Sequence, residues 1–209
     1  MSKTYIIGAG GHGKVILDIL ERQGYDIAGF LDDDENIHGT EINGYPVIDS
    51  VSKLENIAAE TIIAVGHNPT RKKLFNQINE YKDIDLINTI HPDTIINSHV
   101  DLGYGNMIVA GAIINSNTVI KDNVIINTGS TVDHDCLIES HVHISPGVNL
   151  GGNVTVREGS HIGIGASVLP GITIGENVTV GAGAVVISNL EANAVYAGVP
   201  ARKIRDIKN

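Results

Sequence analysis

The sequence from residue 96 to residue 191 repeats with a period of six, and this period constrains the fold more than any other feature. Every sixth residue is Ile, Leu or Val, without a break in phase over sixteen positions. These positions are Ile96, Leu102, Ile108, Ile114, Ile120, Ile126, Val132, Ile138, Ile144, Leu150, Val156, Ile162, Val168, Ile174, Val180 and Val186. A period of six fits neither the roughly 3.6-residue turn of a helix nor the plain alternation of a strand. It predicts short strands joined by tight corners.

A second position in each hexad supports the same interpretation. The residue two places before each aliphatic is usually small or branched, as at Val100, Ala112, Cys136 and Val148. Side chains two apart on a strand point to the same side, so both positions face inward. Three such strands close one turn of a triangular coil of about 18 residues, which the aliphatic side chains fill. We therefore expect an all-β parallel β-helix without an internal pocket, so that ligands bind along a face or between copies.

Composition and charge narrow the possible functions. The chain carries 24 Asp and Glu against 14 Lys and Arg, a net charge of −10, which argues against nucleic acid or an anionic membrane as the main partner. Its one cysteine, Cys136, cannot form an intrachain disulfide, as is typical of a reducing compartment. No apolar run approaches the roughly 18 residues of a membrane helix, and the apolar stretch before the first glycines is too short for a signal peptide. We expect a soluble, cytoplasmic protein without membrane insertion.

The first part of the chain has a different pattern, in which strands alternate with helices. The sequence predicts strands at 4–7, 27–31, 61–65 and 85–88, a helix that ends at Gly24, and a second helix at about 69–80. Such alternation forms a parallel sheet, here about half of a Rossmann-type sheet. We therefore divide the chain into an α/β domain, residues 1–92, and a β-helix domain, residues 93–209. Ligands bind parallel sheets at the carboxyl ends of the strands.

The first of these strand ends carries a glycine-rich turn. Gly8, Gly10 and Gly13 satisfy the dinucleotide fingerprint G-x-G-x-x-G between a strand and a helix, with an acidic residue about 20 positions further on. A domain of about 90 residues leaves little room for a second nucleotide half, however. The pattern favours a single nucleotide or nucleotide sugar, with its phosphate at the helix N-terminus. A purely structural role of the glycines in tight packing remains open.

The residues with the clearest catalytic chemistry lie in the middle of the repeat. His134 occupies an outward position near a corner, between Asp133 and Asp135, and Gly152 stands one coil further on. Either carboxylate is placed to fix one tautomer of the imidazole, whose ordinary pKa of about 6.5 suits a general base. The glycine leaves space above the ring for a narrow ligand. The alternative is that His134 is an ordinary solvated histidine.

A zinc site is the other common use of histidines. The γ-class carbonic anhydrases, which have the same kind of fold, use two histidines about five residues apart and a third two coils away. In this chain no two histidines stand five apart, and position 170 is proline. The spacing argues against that metal site, and we expect no metal.

The order of motifs along the chain resembles one family closely. It comprises IIGAGGHGKV, FLDDD, AVGHN, IHP, NTGSTVDHDC, HVHISPGVNLGGN and YAGVPARKI, in this order. Over nearly its whole length, the chain is similar to the PglD/NeuD group of bacterial sugar acetyltransferases. The resemblance implies a left-handed β-helix, a homotrimer with sites between neighbouring copies, and acetyl-CoA as the donor. It also implies an acceptor, either an amino group of a UDP-linked deoxy amino sugar or a hydroxyl of a sialic-type sugar.

The resemblance also implies roles for particular residues. It makes His134 the general base and Asp135 its acidic neighbour. Residues expected near acetyl-CoA are His143, Gly152, Ile164, Gly181, Ala182, Arg202 and Lys203. Residues expected near the nucleotide sugar are Gly10, Gly11, His12, Asp32, Asp33, Gly66, Asn68 and Asn127.

The implied mechanism is direct transfer of the acetyl group. His134 takes a proton as the acceptor attacks the thioester, and either a backbone N–H or His143 stabilises the oxyanion. Cys136 occupies an inward position and is expected to be a small buried residue rather than a nucleophile. Three functions remain in competition: an N-acetyltransferase on a UDP-linked amino sugar, an O-acetyltransferase on sialic acid or a related nonulosonic acid, and a non-enzymatic nucleotide-sugar-binding scaffold.

Overall fold

The α/β domain contains six strands and two helices. In this computed structural model, which describes residues 3–207, the strands are β1 (Thr4–Ile7), β2 (Ile27–Leu31), β3 (Glu41–Ile42), β4 (Tyr45–Asp49), β5 (Ala59–Ile63) and β6 (Ile84–Leu86). The helices are α1 (Gly11–Gln23) and α2 (Asn68–Ile78), with 3₁₀ helices at Glu35–Ile37 and Val51–Asn56. The sheet has the order β3-β4-β2-β1-β5-β6, and every pairing is parallel except β3 with β4.

The sheet is wider than the four predicted strands because of the hairpin β3–β4. Asn43 and Gly44 form its turn with φ angles of 50° and 86°, the positive values that a two-residue hairpin turn of this kind requires. The Asn-Gly pair was a usable signal in the sequence. The two strands lie at one edge of the sheet.

Helix α1 packs its apolar side on the sheet and begins where the glycine-rich turn ends. Ile16, Leu17, Ile19 and Leu20 are fully buried, and the helix ends at Gly24 in the left-handed conformation. A β-carbon on Gly13 would lie 2.2 Å from the carbonyl oxygen of Gly8. The third glycine of the fingerprint is therefore needed for close packing of the turn on the helix.

The remaining chain forms a triangular prism with three parallel sheets. We call them faces I, II and III, and an edge is the corner between two faces. Face I contains Thr89–Ile90, Met107–Ile108, Ile125–Ile126, His143–Ile144, His161–Ile162 and Thr179–Val180, followed by Ala194–Ala197 and Arg202–Asp206. Face II contains Ile95–Ile96, Ile113–Ile114, Thr131–Val132, Asn149–Leu150, Ser167–Val168 and Val185–Val186. Face III contains Asp101–Leu102, Val119–Ile120, Leu137–Ile138, Thr155–Val156 and Thr173–Ile174.

The prism is the predicted left-handed parallel β-helix. Strand pairs along each face are 18 residues apart, as in the pairing of Ile126 with Ile144, and the last strand, Arg202–Asp206, turns back antiparallel. Fourteen of the sixteen aliphatic positions are buried, whereas Ile96 and Leu102 are partly buried. The first strand of the prism, Thr89–Ile90, pairs with Met107–Ile108 of face I. This strand lies within residues 1–92, the range that the sequence assigned to the α/β domain. One continuous apolar core fills the prism.

The backbone at the corners follows a conformational rule that the sequence analysis did not predict. The third residue after each aliphatic position has a positive φ at every corner from residue 99 to residue 183. These residues are His99, Gly105, Gly111, Asn117, Asn123, Gly129, Asp135, His141, Gly147, Asn153, Gly159, Gly165, Gly171, Asn177 and Gly183. Glycine has no steric penalty in this region, and Asn, Asp and His tolerate it best among the others. Eight of the 24 glycines thus stand at these tight corners.

The α/β domain is packed against face I. Met107, Val109 and Ile125 of the prism share one apolar cluster with Ile6 and Ile16 of the domain. The carboxyl ends of β1 and β5 therefore lie next to face I, and edge II/III is the edge opposite the domain.

Candidate active site

His134 lies at edge II/III and is held by its neighbour. Its Nδ1 is 2.7 Å from Oδ2 of Asp135, and its side chain is 54% exposed. An imidazole Nδ1 beside a carboxylate is the protonated nitrogen, which leaves Nε2 with a free lone pair. The hydrogen bond to Asp135 raises the pKa of His134 above its ordinary value, and the charge of Asp133 adds to the effect.

The two flanking carboxylates have different tasks. Oδ1 of Asp133 accepts the backbone N–H of His134 at 2.9 Å and the side-chain amide of Asn115 at 2.8 Å. It therefore fixes the backbone of the corner, whereas Asp135 orients the imidazole. Asp135 has a φ of 58°, and this corner conformation brings its short side chain to the ring.

Gly152 lies against the ring of His134 one turn further along the prism. A β-carbon at Gly152 would be 2.6 Å from Cε1 and 2.7 Å from Nε2 of His134. The backbone N–H of Gly152 makes no hydrogen bond with another residue of the described range 3–207. At the same place in some other corners this N–H is bonded to a side chain, as in Thr128 with Oδ1 of Asn127 and Glu158 with Oε2 of Glu139, whereas in others, such as Ile164 and Ala182, it has no partner among the described residues. The unpaired amide thus belongs to the residue against which the ring of His134 lies.

A second group of candidate residues lies in a cleft between the α/β domain and face I. His143 is 6% exposed; its Nδ1 is 3.2 Å from the carbonyl oxygen of Gly66, and its Nε2 is 3.2 Å from Nδ2 of Asn127. The ring of His12 meets that of His143 edge to face at 5.6 Å. His12, Gly66, Asn127 and His143, which the sequence assigned to two different substrates, are thus one cluster.

The hydrogen bonds of His143 determine its tautomer. The carbonyl of Gly66 only accepts, so Nδ1 of His143 carries the proton. Oδ1 of Asn127 accepts the N–H of Thr128 at 2.8 Å, so Nδ2 of Asn127 donates to Nε2 of His143. Burial lowers the pKa of His143 to about 3, with His161 and Arg71 adding to the effect. The ring is neutral, and both nitrogens are occupied within the chain.

His161 extends the cluster by one turn, and sequence analysis did not select it. Its ring stacks on His143 with centroids 4.7 Å apart and an interplanar angle of 2°. Its Nε2 is 2.8 Å from Oγ of Ser145, and burial lowers its pKa. The signal in the sequence was the separation of His143 and His161 by 18 residues, which makes them neighbours on face I.

The cleft is large enough for a substrate. Two adjoining cavities of about 810 and 530 Å³ share His12, His143, His161 and Thr179. The smaller one also contains the predicted residues Asn127, Ile164, Gly181 and Ala182, and the larger one contains Gly66 and Asn68. The larger cavity ends at Arg205 of the C-terminal strand, which sequence analysis also did not select.

Arg202 and Lys203, which the resemblance places near acetyl-CoA, lie outside these two cavities. Lys203 pairs with Asp206 at 2.6 Å, and Arg202 donates to the carbonyl oxygen of Ala201. Neither residue lines either cavity of the cleft. Arg205 lines the larger cavity together with Val195, its partner in the neighbouring strand. A register shift between Val195 and Tyr196 breaks the alternation that would otherwise put Lys203 and Arg205 on the same side of the strand.

The carboxyl end of the sheet forms a third cavity. It has a volume of about 170 Å³ and is lined by Gly8, Asp32, Asp33, Lys73 and others. Oδ2 of Asp32 accepts the N–H of Ala9 at 2.8 Å, so this carboxylate supports the glycine-rich turn. Oδ1 of Asp33 accepts the N–H of Val51 at 3.1 Å. Gly10 and Gly11 are exposed at the start of α1, with open space where their β-carbons would be.

Arg71 and Asn68 connect the two domains at edge III/I. Arg71 is fully buried, and its guanidinium donates to the carbonyls of His141 and Val142 in the prism and of Val65 in the domain. Nδ2 of Asn68 donates to the carbonyls of Gly159 and Ser160, which gives Asn68 a docking role. The guanidinium has only neutral acceptors, and burial lowers its pKa to about 9. These bonds fix the width of the cleft.

Neither a metal site nor a membrane helix is found in the part of the chain that the structure describes. Across residues 3–207 no three His, Cys, Asp or Glu side chains are grouped as metal ligands. Within the same residues no helix has the length and apolar character needed to cross a membrane.

Known proteins resemble this chain in sequence and in structure. The PglD N-terminal domain model matches residues 3–78, and the bacterial transferase hexapeptide model matches residues 153–188. The acetyltransferase domain of PglB from Neisseria gonorrhoeae, solved with acetyl coenzyme A, is 36% identical over 97% of this chain and 99% of that one, with a TM-score of 0.91. PerB from Caulobacter crescentus, solved with CoA and GDP-perosamine, is 36% identical over 97% of both chains, with a TM-score of 0.90.

A curated relative is similar over a shorter range. UDP-N-acetylbacillosamine N-acetyltransferase of Bacillus subtilis is 40% identical over 103 residues, which are 46% of this chain and 46% of that enzyme. The match thus spans about half the length of the curated relative.

The α/β domain on a left-handed β-helix, with an edge histidine and a lateral cleft, defines a hexapeptide-repeat transferase. Within that class, the chain belongs to the PglD/NeuD-like family of acetyl-CoA-dependent bacterial sugar acetyltransferases.

Proposed function

We propose that this protein is an N-acetyltransferase that transfers the acetyl group of acetyl-CoA to an amino group of a UDP-linked deoxy amino sugar. The observation that carries the proposal is the geometry at edge II/III. Nε2 of His134 is free because Nδ1 is bound to Asp135, and it lies against Gly152, whose N–H is unpaired among the described residues. A general base beside a residue with an unpaired backbone amide is an arrangement that suits direct acyl transfer.

In the proposed reaction His134 acts as the general base. Nε2 removes a proton from the acceptor nitrogen as that nitrogen attacks the thioester carbonyl, and the N–H of Gly152 stabilises the oxyanion that forms. The tetrahedral species collapses with loss of the CoA thiolate, so no covalent enzyme intermediate is needed. Cys136 is buried and burial raises its pKa, which opposes a nucleophilic role.

The nucleotide sugar is assigned to the α/β domain, residues 1–92, and its cleft. The exposed turn at Gly10 and Gly11 leads into α1, whose N-terminus suits a phosphate. The cavity at the carboxyl end of the sheet has Asp33 and Lys73 in its wall. We propose that it binds the nucleobase of the nucleotide sugar. The relatives solved or curated with nucleotide-linked amino sugars support an amino rather than a hydroxyl acceptor. The donor is assigned to the prism domain, residues 93–209.

We propose a homotrimer because the two groups of residues lie on different sides of the prism. His134 is at edge II/III, opposite face I, whereas the cleft with His143 lies on face I. One chain therefore does not bring its own base to its own cleft, and we propose sites shared by neighbouring copies of a cyclic trimer. We also propose a cytoplasmic reaction, since the free thiol of Cys136 fits a reducing compartment.

The proposal is tested by measuring CoA thiol release from acetyl-CoA with four acceptors. These are a UDP-linked and a GDP-linked deoxy amino sugar, free sialic acid and CMP-linked sialic acid. We expect release with the UDP-linked amino sugar and an N-acetylated product by mass spectrometry. Release with sialic acid alone would contradict the proposal in favour of O-acetylation, and a chain that neither binds CoA nor releases thiol would contradict enzymatic function.

A further inference from the structure

The thiol of Cys136 lies inside the prism, beneath the edge that carries His134. Its Sγ is 3.3 Å from the carbonyl oxygen of Gly151 and 3.7 Å from that of His134. The carbonyl of His134 already accepts the N–H of Asn153 at 2.9 Å. The shorter contact is to Gly151, whose carbonyl has no other donor among the described residues, so the thiol proton is directed to Gly151.

This contact is one example of a hydrogen bond that recurs in the prism. Oγ1 of Thr118 donates to the carbonyl of Asp133, and Oγ of Ser160 donates to the carbonyl of Gly175, both at 2.7 Å. In all three cases the donor is an inward residue at the same place in its hexad, and the acceptor follows 15 residues later. An inward hydroxyl or thiol thus bonds the carbonyl of the first peptide of a corner on the next coil and restrains that peptide. The direction of the peptide comes from the corner itself, because Thr128 and Glu158 also donate outward although Ala112 and Val142 beneath them have no side-chain donor.

The direction of the Gly151 carbonyl determines the direction of the Gly152 amide. In a trans peptide the C=O and the following N–H point in opposite directions. The carbonyl of Gly151 points to the interior, where the thiol of Cys136 bonds it, so the N–H of Gly152 points outward and the thiol restrains this orientation. The ring of His134 lies on that side, since a β-carbon at Gly152 would be 2.6 Å from Cε1.

We propose that Cys136 is a positioning residue for acetyl transfer, which holds the Gly151–Gly152 peptide so that the amide of Gly152 donates to the oxyanion. The inference rests on the proposed function. Cys136 does not touch the reacting atoms; it acts through one peptide group. A donor that is already aligned with the developing charge loses nothing to reorientation during the reaction, so its alignment affects kcat.

The experiment compares Cys136→Ala and Cys136→Ser in steady-state kinetics with acetyl-CoA and the UDP-linked amino sugar. Alanine is accommodated at this place of the hexad, as at Ala112 and Ala166, and serine already makes the bond at Ser160. Because a lost hydrogen bond of this kind contributes roughly 0.5–1.5 kcal/mol, we expect Cys136→Ala to lower kcat about threefold to tenfold. Both KM values and the pH profile should be unchanged, and Cys136→Ser should restore at least half of the wild-type kcat.

Ser160→Ala is the matched control. It removes the same kind of hydrogen bond at edge III/I, and we expect its kcat to equal that of the wild type. Wild-type kcat in Cys136→Ala would overturn the inference, as would Cys136→Ser with the same low kcat as Cys136→Ala. An equal loss of kcat in Ser160→Ala would show a general structural effect and overturn it as well. Failure of the proposed function is distinguishable, because the wild type itself would then release no thiol.

Discussion

The imidazole of His134 lies on the α-carbon of Gly152, which is one coil further along edge II/III. A methyl group on Gly152 would be 2.6 Å from Cε1 and 2.7 Å from Nε2 of the ring, well inside van der Waals contact. The absence of a side chain at residue 152 is therefore what lets the ring lie there, next to the free amide. This relationship connects the corner geometry with the proposed chemistry.

Gly152→Ala tests this relationship. We expect the added methyl group to displace the ring and lower kcat by about 100-fold, because a shift of about 1 Å in a catalytic group has effects of that size. The matched control is Gly171→Asn at the next corner of the same edge. Gly171 has a φ of 74°, which Asn adopts at Asn153 and Asn177, so folding and kcat should be retained. A Gly152→Ala variant with full activity would contradict the packing argument.

His134 itself is tested by His134→Gln, which keeps a polar side chain at the edge. Loss of a general base costs about 10² to 10⁴ in rate, and we expect a fall in kcat of this size. CoA affinity by calorimetry should be nearly unchanged. Retention of wild-type kcat would remove the assignment of His134 as the base.

Asp135→Asn tests how the base is tuned. The carboxylate of Asp135 raises the pKa of His134, and the base is active only when neutral. The rate must therefore rise with pH through this raised pKa, and the acidic limb of the kcat/KM profile lies above pH 6.5. In Asp135→Asn the pKa falls, so we expect the limb to move to lower pH while the plateau kcat drops about tenfold to 100-fold. An unmoved limb would show that Asp135 does not tune the ring.

The prism was predictable in detail from the sequence, because every coil repeats the same requirement. Each hexad needs one aliphatic side chain in the core, and Ile108 to Val186 meet that requirement with burial throughout. The pairing of the α/β domain with face I was not predictable in the same way. It depends on single residues such as Arg71, whose partners His141 and Val142 are 70 and 71 positions away in the chain, and no local pattern marks such contacts.

The candidate site was likewise predictable only where its residues are neighbours in the sequence. A candidate general base with an adjacent carboxylate was visible in the triplet 133–135, although only the structure separates the contacts of its two acids. That His143 is bound to Gly66 and Asn127 was not visible, because its partners come from another domain and another coil. The roles of Arg202 and Lys203 stay predictions. The place of Arg205 at the cleft was not visible, because it depends on a register shift in the last strand.

The buried histidines predict a pH dependence of stability. Burial lowers the pKa of His143 to about 3 and that of His141 to about 4, compared with about 6.5 in an unfolded chain. Between these values the unfolded chain binds more protons, so stability is lost as the pH falls below about 6.5. We expect the free energy of unfolding in urea to fall from pH 7 to pH 5. His143→Gln should flatten this slope by up to about 1.4 kcal/mol per pH unit, whereas His99→Asn, which removes an exposed histidine, should not.

A mixture of two inactive variants tests whether the site is shared between copies. His134→Ala removes the base and leaves the glycine-rich turn intact. Gly11→Asp places a negative charge where the phosphate is expected, at an exposed position with open space around it, and leaves His134 intact. If each site combines His134 of one copy with the turn of the next, random co-assembly of equal amounts restores about a quarter of wild-type activity per chain. A site within a single chain gives none, because neither variant has both parts.

The control is a chain that carries both substitutions. When it is mixed with either single variant, no pair of neighbouring copies contains both His134 and an intact turn, so we expect no activity. Absence of activity in mixtures shown by mass spectrometry to contain both chains would contradict the shared site, since the base and the turn would then have to come from one copy.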